Sequence, residues 1–436
     1  MPLIKNDTVY EKRINKLAIF LYIIFFFSDD TYLFGTNSNG VFLTIARYIM
    51  IPFCIYMITR PEGGIDFDGD SAKWLAYITS VAVFIMASLA NHELLNYMVI
   101  RVLVMTVGFL FATQYSFDDF AEAFERFVYF VCICSFPMTV LSFLAPKVIH
   151  FLPVVYARYS KAYTYGLCGI ISEFDGTLIV RATGIFREPG VFQIFINVAL
   201  MFELLYRKEI RCKLVWVYVI TLLTTFSTAG YVVGILIFSV YCLFIPKEQG
   251  WKEHYLILFF VVAIPIVLFI LFGENTALWQ TVFGKVKDGV GSNGSMAVRL
   301  SGIITSIEIA LDYPLHGIGI QSMSKYYLAY TTKSSFFKWG NDQYANTLFC
   351  QFSCHGIPFG TLFLVGTYKF RKWISENRLV GISIFLIIAL LYMDEILQYS
   401  ALPYIIMFYG YGFTDEYWKR EEQKRIQWFE QDSRKY

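Results

Sequence analysis

The chain has 436 residues, of which 57% are hydrophobic, 19% aromatic and only 16% charged, and its mean hydropathy is +0.53. Soluble domains carry about 25% charged residues and need a polar coat, so this composition excludes a soluble enzyme, a disordered chain and a disulfide scaffold. A net charge of +2 with no basic tract offers nothing to a nucleic acid.

Apolar runs long enough to cross a bilayer are predicted near 14–31, 41–58, 74–90, 94–113, 127–145, 189–205, 214–227, 230–245, 255–272, 344–366, 379–393 and 396–412. The fold class is therefore an all-α polytopic integral membrane protein of about twelve transmembrane helices, a single transmembrane domain over 1–436. The first run has a clean apolar core only from Leu17 to Phe27, and Asp394 with Glu395 interrupt the last two. No small-residue cleavage site follows the first run, which reads as a retained anchor. Eight cysteines sit mostly in apolar runs and read as small apolar filler; Cys350 and Cys354, one helical turn apart, lack the partners of a zinc site.

Basic residues set the orientation. With the N-terminus inside, inner segments hold 23 of the 36 Lys and Arg, and the four short outer loops (28–40, 91–93, 228–229, 394–395) hold none. That split follows the positive-inside rule, and a misplaced span would destroy it. Both termini are then cytoplasmic, with a charged tail at 413–436. Two long extracytoplasmic loops remain, 146–188 and 273–343, the second with a short helix near 296–311. They hold eleven of the other basic residues, and Arg47 and Arg101 fall inside predicted helices. Long loops are exempt from the orientation rule, and intramembrane arginines face polar interiors, so both sets are available for function.

Several motifs carry no chemistry. DFDGD at 66–70 lacks the glutamate of a calcium loop, since Tyr77 stands at the twelfth position, and reads as a solvated acidic turn. GIGIQS at 317–322 has no preceding strand and is not a dinucleotide fingerprint. No P-loop, G-x-S-x-G or H-E-x-x-H motif occurs.

Other segments do carry it. RATGIFREPG at 181–190 ends the first long loop. Pro189 suits the first helical turn, Glu188 complements the helix dipole, and Arg181 with Arg187 flank that N-terminus. Two guanidinium forks at a helix N-terminus make an anion site suited to pyrophosphate; a plain Arg187–Glu188 pair or a lipid-phosphate anchor is the other reading. TTFSTAGY at 224–231 allows close helix approach or lines a polar cavity. In RLSGIITSIEIALDYPLHGIGIQ, 299–321, Arg299 opens a helix that stops before Pro314. His316 follows it, and Gly317 and Gly319 permit a tight turn or close backbone approach. In NDQYANTLFCQFSCHG, 341–356, Asn341 or Asp342 is placed to cap the next helix. Asn346 then lies one turn in from Asp342, and His355 packs deeper.

The order of these segments, ahead of CHGIPFG, resembles the bacterial O-antigen polymerase and ligase superfamily (Wzy and WaaL type) over about 181–360. The resemblance implies a membrane glycosyltransferase of the GT-C type. It would act on undecaprenyl-pyrophosphate-linked glycans at the periplasmic face of the bacterial inner membrane. Arg181 and Arg187 would contact the pyrophosphate, assisted by Arg299; Arg101, Asn341 and Asn346 complete the expected binding set. Ligases of the superfamily show a histidine shortly before the asparagine matching Asn346. Here Asn341, Asp342 and Gln343 stand there, which favours a polymerase. The expected general-base candidates are Glu188, Asp342 and His316, with no metal and no cofactor. Partners would be a lipid-linked donor and acceptor, membrane lipids and a chain-length regulator protein. The alternatives are an O-antigen ligase acting on lipid A core, and a lipid or sugar transporter or flippase, for which repeated halves with broken helices are the usual sign.

Overall fold

A computed structural model describes residues 7–28, 31–32, 45, 48–49, 53, 56, 71–157, 160–165, 169–174, 180–207, 211–244, 295–334, 344–397 and 399–413. The spans expected at 41–58 (apart from a few residues) and 255–272 lie outside the described residues. So do Arg47, the 66–70 turn, the first part of the second loop and the tail from 414.

Helix α1 (Asp7–Phe26) packs on α4, and α2 (Ser71–Ala90) and α3 (Leu95–Gln114) form a hairpin ahead of α4 (Phe117–Leu144). Helix α4 begins ten residues before the predicted 127. Its first turns, FDDFAEAFER, are amphipathic rather than apolar, and the Ser116 side chain caps them by accepting from the Asp119 N–H at 3.2 Å. A four-residue turn, α5 (Pro146–Ile149), leads into the first long loop.

That loop holds an antiparallel sheet, an addition to the helical fold that the sequence did not predict. Strands β1 (Val154–Ala157), β2 (Ser160–Tyr165), β3 (Gly169–Phe174) and β4 (Arg181–Gly184) pair in simple order. Strands β3 and β4 lie on the end of α4. On the sheet, Tyr163 bridges His150 Nδ1 at 3.0 Å and Glu173 at 3.1 Å. Strand β4 delivers the chain to α6 (Pro189–Met201), which continues as a π-helical turn over Phe202–Arg207.

Next come α7 (Cys212–Thr224), α8 (Thr228–Phe244), α9 (Ser295–Asp312), α10 (Met323–Lys333), α11 (Leu348–Ile374), α12 (Arg378–Asp394) and α13 (Ala401–Gly412). Among the described residues, five helices are long and apolar enough to cross a membrane: α2, α3, α4, α6 with its π turn, and α11. Helices α7 and α8 are shorter apolar ones. The chain is a multi-pass membrane protein. Helix α6 is its central post, with 94% of the apolar window buried against 33% for α2. Glycines set the tightest crossings: α11 meets α13 at Gly366 and Gly410, and α3 meets α13 where Gly108 faces Tyr404.

Charges at the end away from the sheet are heavily paired. Glu125, fully buried on α4, bonds Arg207 at 2.8 Å and Arg211 at 2.6 Å. Arg211 also grips Glu203 at 2.5 Å, and Glu122 takes Arg126 and Arg207. Arg13 pairs with Asp119. Residues that act in sequence only as an orientation signal therefore also hold α1, α4 and α6 together.

Helix α11 is broken. Gly356 has φ 83° and ψ 171°, and Pro358 follows. The carbonyls freed by the break are taken by the DYPLHGIGI segment. Ile318 N–H donates to Ser353 O at 2.9 Å and Gly319 N–H to Cys354 O at 3.0 Å, while Ile357 N–H donates to Pro314 O at 2.7 Å. A Cβ on Gly317, whose φ is +61°, would collide with the Ser353 and Cys354 backbone, and one on Gly356 would strike Leu315 O. Gly317→Ala and Gly356→Ala should each lose at least about 1–3 kcal/mol from backbone strain alone, and so reduce folded yield sharply. Gly302→Ala, whose Cβ would meet nothing nearer than 3.6 Å, should be tolerated. Thermal shift and gel filtration of the three purified variants check this.

Candidate active site

The expected site residues divide into three places. One is the N-terminus of α6 at the sheet end. Pro189 occupies the first turn and Glu188 the capping position, where its side chain makes no capping hydrogen bond. Arg187 Nη2 donates to Ile396 O at 2.8 Å, which ties this corner to the break between α12 and α13. Arg181 is 8% exposed. Its Nε donates to Thr225 O and its Nη2 to Phe226 O, both at 2.9 Å. It thus clasps the α7–α8 turn, in which Phe226 adopts a φ of 47°. Burial draws the Arg181 pKa downward, opposed by Tyr231 and by the carboxylates of Glu188 and Glu395.

Arg299, from the start of α9, reaches the same corner. Its Nε lies 2.6 Å from Asp394 Oδ1, and its Nη2 lies 3.2 Å from Glu395 Oε1. Burial works against this charge, yet Asp394 and Glu395 outweigh it and raise the Arg299 pKa. Gln193 of α6 donates to the other Asp394 oxygen at 3.0 Å. Glu395 lies against Gly190, where a Cβ would overlap its carboxylate. Thr347 fixes the backbone: its Oγ1 donates to Glu395 O and accepts from Leu397 N–H, both at 2.7 Å. Three arginines (181, 187, 299) and three carboxylates (188, 394, 395) so meet at one helix N-terminus. Burial pushes the Glu395 carboxyl up to about 8, reinforced by Glu188 and Asp394 and opposed by Arg299 and Arg187.

Asp394 and Glu395 are the functional candidates that sequence reasoning missed. They register there only as an interruption between two apolar runs. The available signal was two adjacent acids in a short loop expected to face the same side as Arg181, Arg187 and Arg299.

The second place lies within the bundle. Arg101 of α3 is fully buried. Its Nη2 lies 3.0 Å from His355 Nε2 and 3.5 Å from Gln351 Oε1, and its guanidinium sits 5.3 Å from the Tyr399 ring centre. His355 also meets the rings of Phe84 and Phe359 at 5.0 Å. Tyr399 follows Glu395 in the α12–α13 connection, so that segment joins this network to the arginine–carboxylate corner.

The third place is the far end of α9. His316 Nδ1 lies 2.8 Å from Gly317 O, and the His316 carbonyl accepts from Asn91 Nδ2 at 2.9 Å. From Arg299 to Asp312 the helix runs roughly 20 Å, so His316 does not join the charged corner. Asn341 and Asp342 lie outside the described residues. The expected cap also moves. Helix α11 starts at Leu348, so Asn346 precedes it rather than lying a turn inside. Its Oδ1 accepts from Phe349 N–H at 2.8 Å and Cys350 N–H at 3.0 Å, and its Nδ2 donates to Gly302 O and Ser306 Oγ, both at 3.2 Å. Asn346 is a cap and a strut between α9 and α11. Among the described residues, no group of three His, Cys, Asp or Glu side chains could hold a metal ion.

Residues 214–364 match the family model Wzy_C, described as O-antigen ligase. The match supports the O-antigen ligase and polymerase superfamily, and with it a membrane glycosyltransferase-like enzyme. It covers Arg299, His316, Asn346 and the Gly356 break, but not Arg181, Arg187, Glu188, Asp394 or Glu395. No curated protein matches the chain.

Asn346→Ala removes a cap and the strut and should cost about 1–2 kcal/mol of stability. Turnover per folded molecule should stay near wild type, because the side chain is fully engaged within the protein. Thermal shift beside activity normalised to monodisperse protein separates this from a binding role.

Proposed function

We propose that the chain is a polysaccharide polymerase. It joins undecaprenyl-pyrophosphate-linked oligosaccharide repeat units into a surface polysaccharide, O-antigen or capsule, at the periplasmic face of the bacterial inner membrane. In this reading the sheet end is periplasmic, both termini are cytoplasmic, and the fold is a GT-C-like arrangement of about twelve spans. The observation that carries it is the convergence of Arg181, Arg187 and Arg299 with Glu188, Asp394 and Glu395 at the α6 N-terminus. A lipid-linked glycan presents two things, an anionic pyrophosphate and a sugar carbon to be attacked. Guanidinium groups and a helix N-terminus stabilise the leaving pyrophosphate as its charge grows. A carboxylate is able to take the acceptor's proton.

The arginines differ in availability. Arg181 clasps two carbonyls and serves the α7–α8 turn. Arg187 is half-buried at the corner, and Arg299 stands in the ion pairs with Asp394 and Glu395. We assign direct contact with the pyrophosphate first to Arg187 and then to Arg299, while Arg101 stays buried within the bundle against His355 and Tyr399. A chain-length regulator protein is a further partner in this reading.

The second reading is an O-antigen ligase acting on lipid A core, which the family match, described as O-antigen ligase, leaves equally open. Asn341, Asp342 and Gln343, standing where ligases carry a histidine, argue for the polymerase. Purified full-length protein should be given lipid-linked repeat units from cells lacking it, with and without lipid A core. A length ladder from repeat units alone is the expected result, and Arg187→Ala should reduce it on the order of 10²-fold or more. Product only with lipid A core would replace the polymerase by the ligase. No product in either case would overturn both.

A further inference from the structure

Three carboxylates stand at the corner, and their surroundings differ. Asp394 is engaged on both oxygens, one by Arg299 at 2.6 Å and one by Gln193 at 3.0 Å. Glu188 is half-buried at the mouth of α6, beside Arg187. Glu395 is 6% exposed. Only Oε1 of its carboxylate is bonded among the described residues, to Arg299 at 3.2 Å. Oε2 carries no hydrogen bond among them.

The backbone under Glu395 is fixed by hydrogen bonds through Thr347. Thr347 donates to its carbonyl, accepts from Leu397 N–H, and itself donates from its backbone N–H to Tyr392 O at 2.6 Å. Gly190 leaves the side chain the space that any other residue would fill. The carboxyl therefore rests on the first turn of α6, where the helix dipole favours its ionised form.

We infer that Glu395 is the group that takes the proton from the attacking sugar hydroxyl, with Glu188 beside it tuning its charge. This rests on the glycosyl-transfer reading above and names a residue that reading leaves open. The step balances without a further reactant. The acceptor oxygen bonds to the anomeric carbon of the donor sugar, and the bond from that carbon to the phosphate oxygen breaks. The electron pair leaves with undecaprenyl pyrophosphate, and the hydroxyl proton passes to the Glu395 carboxylate. Asp394 is a positioning residue that fixes Arg299, and Arg299, besides its contact with the pyrophosphate, orients Glu395. His316, at the other end of α9, takes no part.

Burial and the negative neighbours Glu188 and Asp394 hold the Glu395 carboxyl at about 8, against the pull of Arg299 and Arg187. Among the described residues, Arg181 is a further charge at this corner. A base must be ionised to act, so the rate should rise as pH rises through that value. Glu188→Gln removes one negative neighbour, which makes Glu395 easier to ionise, so the rising limb should move to lower pH.

The test uses full-length protein in nanodiscs with lipid-linked repeat units, reading glycan length and released undecaprenyl pyrophosphate from pH 5.5 to 9.5. Glu395→Gln should lower turnover by about 10²–10⁴-fold, while its melting temperature and the thermal shift induced by the repeat unit stay as in wild type. Glu395→Asp should recover part of the rate. A folded Glu395→Gln variant with the wild-type rate and pH profile overturns the inference. So does a Glu188→Gln variant whose rising limb does not move, a reading that stands even if Glu395→Gln fails to fold. Absence of any glycan product from wild type overturns the glycosyl-transfer reading instead, and the inference with it.

Discussion

Arg299 joins two parts of the chain that sequence keeps 95 residues apart. It carries the start of α9, in the second long loop, onto the gap between α12 and α13. Without that bridge the gap would present two acids and a short run of irregular backbone inside a bundle meant for a bilayer. Backbone in such a place survives only when protein groups satisfy it. Thr347, Arg187 and Arg299 do so from three directions, and each comes from a different element. The candidate site is thus a by-product of mending a break: the groups that repair the backbone are also the groups that bring charge together.

The same logic governs α11. Its break at Gly356 would strand carbonyls, and the loop after α9 pairs with them as a strand would. The broken helices that mark transporters line a path for a moving substrate. Here the break is sealed by the protein's own backbone, which makes it a fixed joint. The two breaks share α9 as their common support, since its first residues reach Asp394 and the loop at its end reaches Ser353 and Cys354. At the other end of the bundle, the paired Glu122, Glu125, Glu203, Arg207 and Arg211 give a rigid base.

Much of this was legible in sequence, and the misses have physical causes. Helices long enough to span were visible because apolar length is a one-dimensional property. The placing of Arg181, Arg187, Glu188 and Pro189 at a helix start followed from local chemistry, as did the close approach at Gly317 and Gly319. The start of α4 was missed because a hydropathy window does not see an amphipathic turn whose charges pair within the bundle. The sheet was missed because its strands are only four to six residues long, too short to carry a clear alternation. Asp394 and Glu395 were visible only as a break, because their meaning depends on Arg299 and Gly190, partners supplied by the fold. Asn346 falls inside a helix only if Asn341 or Asp342 caps it, and the true start of α11 at Leu348 lies after Asn346.

The docking of residues 314–319 on α11 also ties the fate of a loop to that of a helix. The upper and lower halves of α11 cannot be joined by their own hydrogen bonds at Gly356, and the backbone of 314–319 supplies the partners instead. Losing that loop would leave the Ser353 and Cys354 carbonyls unpaired inside the bundle. The loop thus acts as a splint for the helix that follows it.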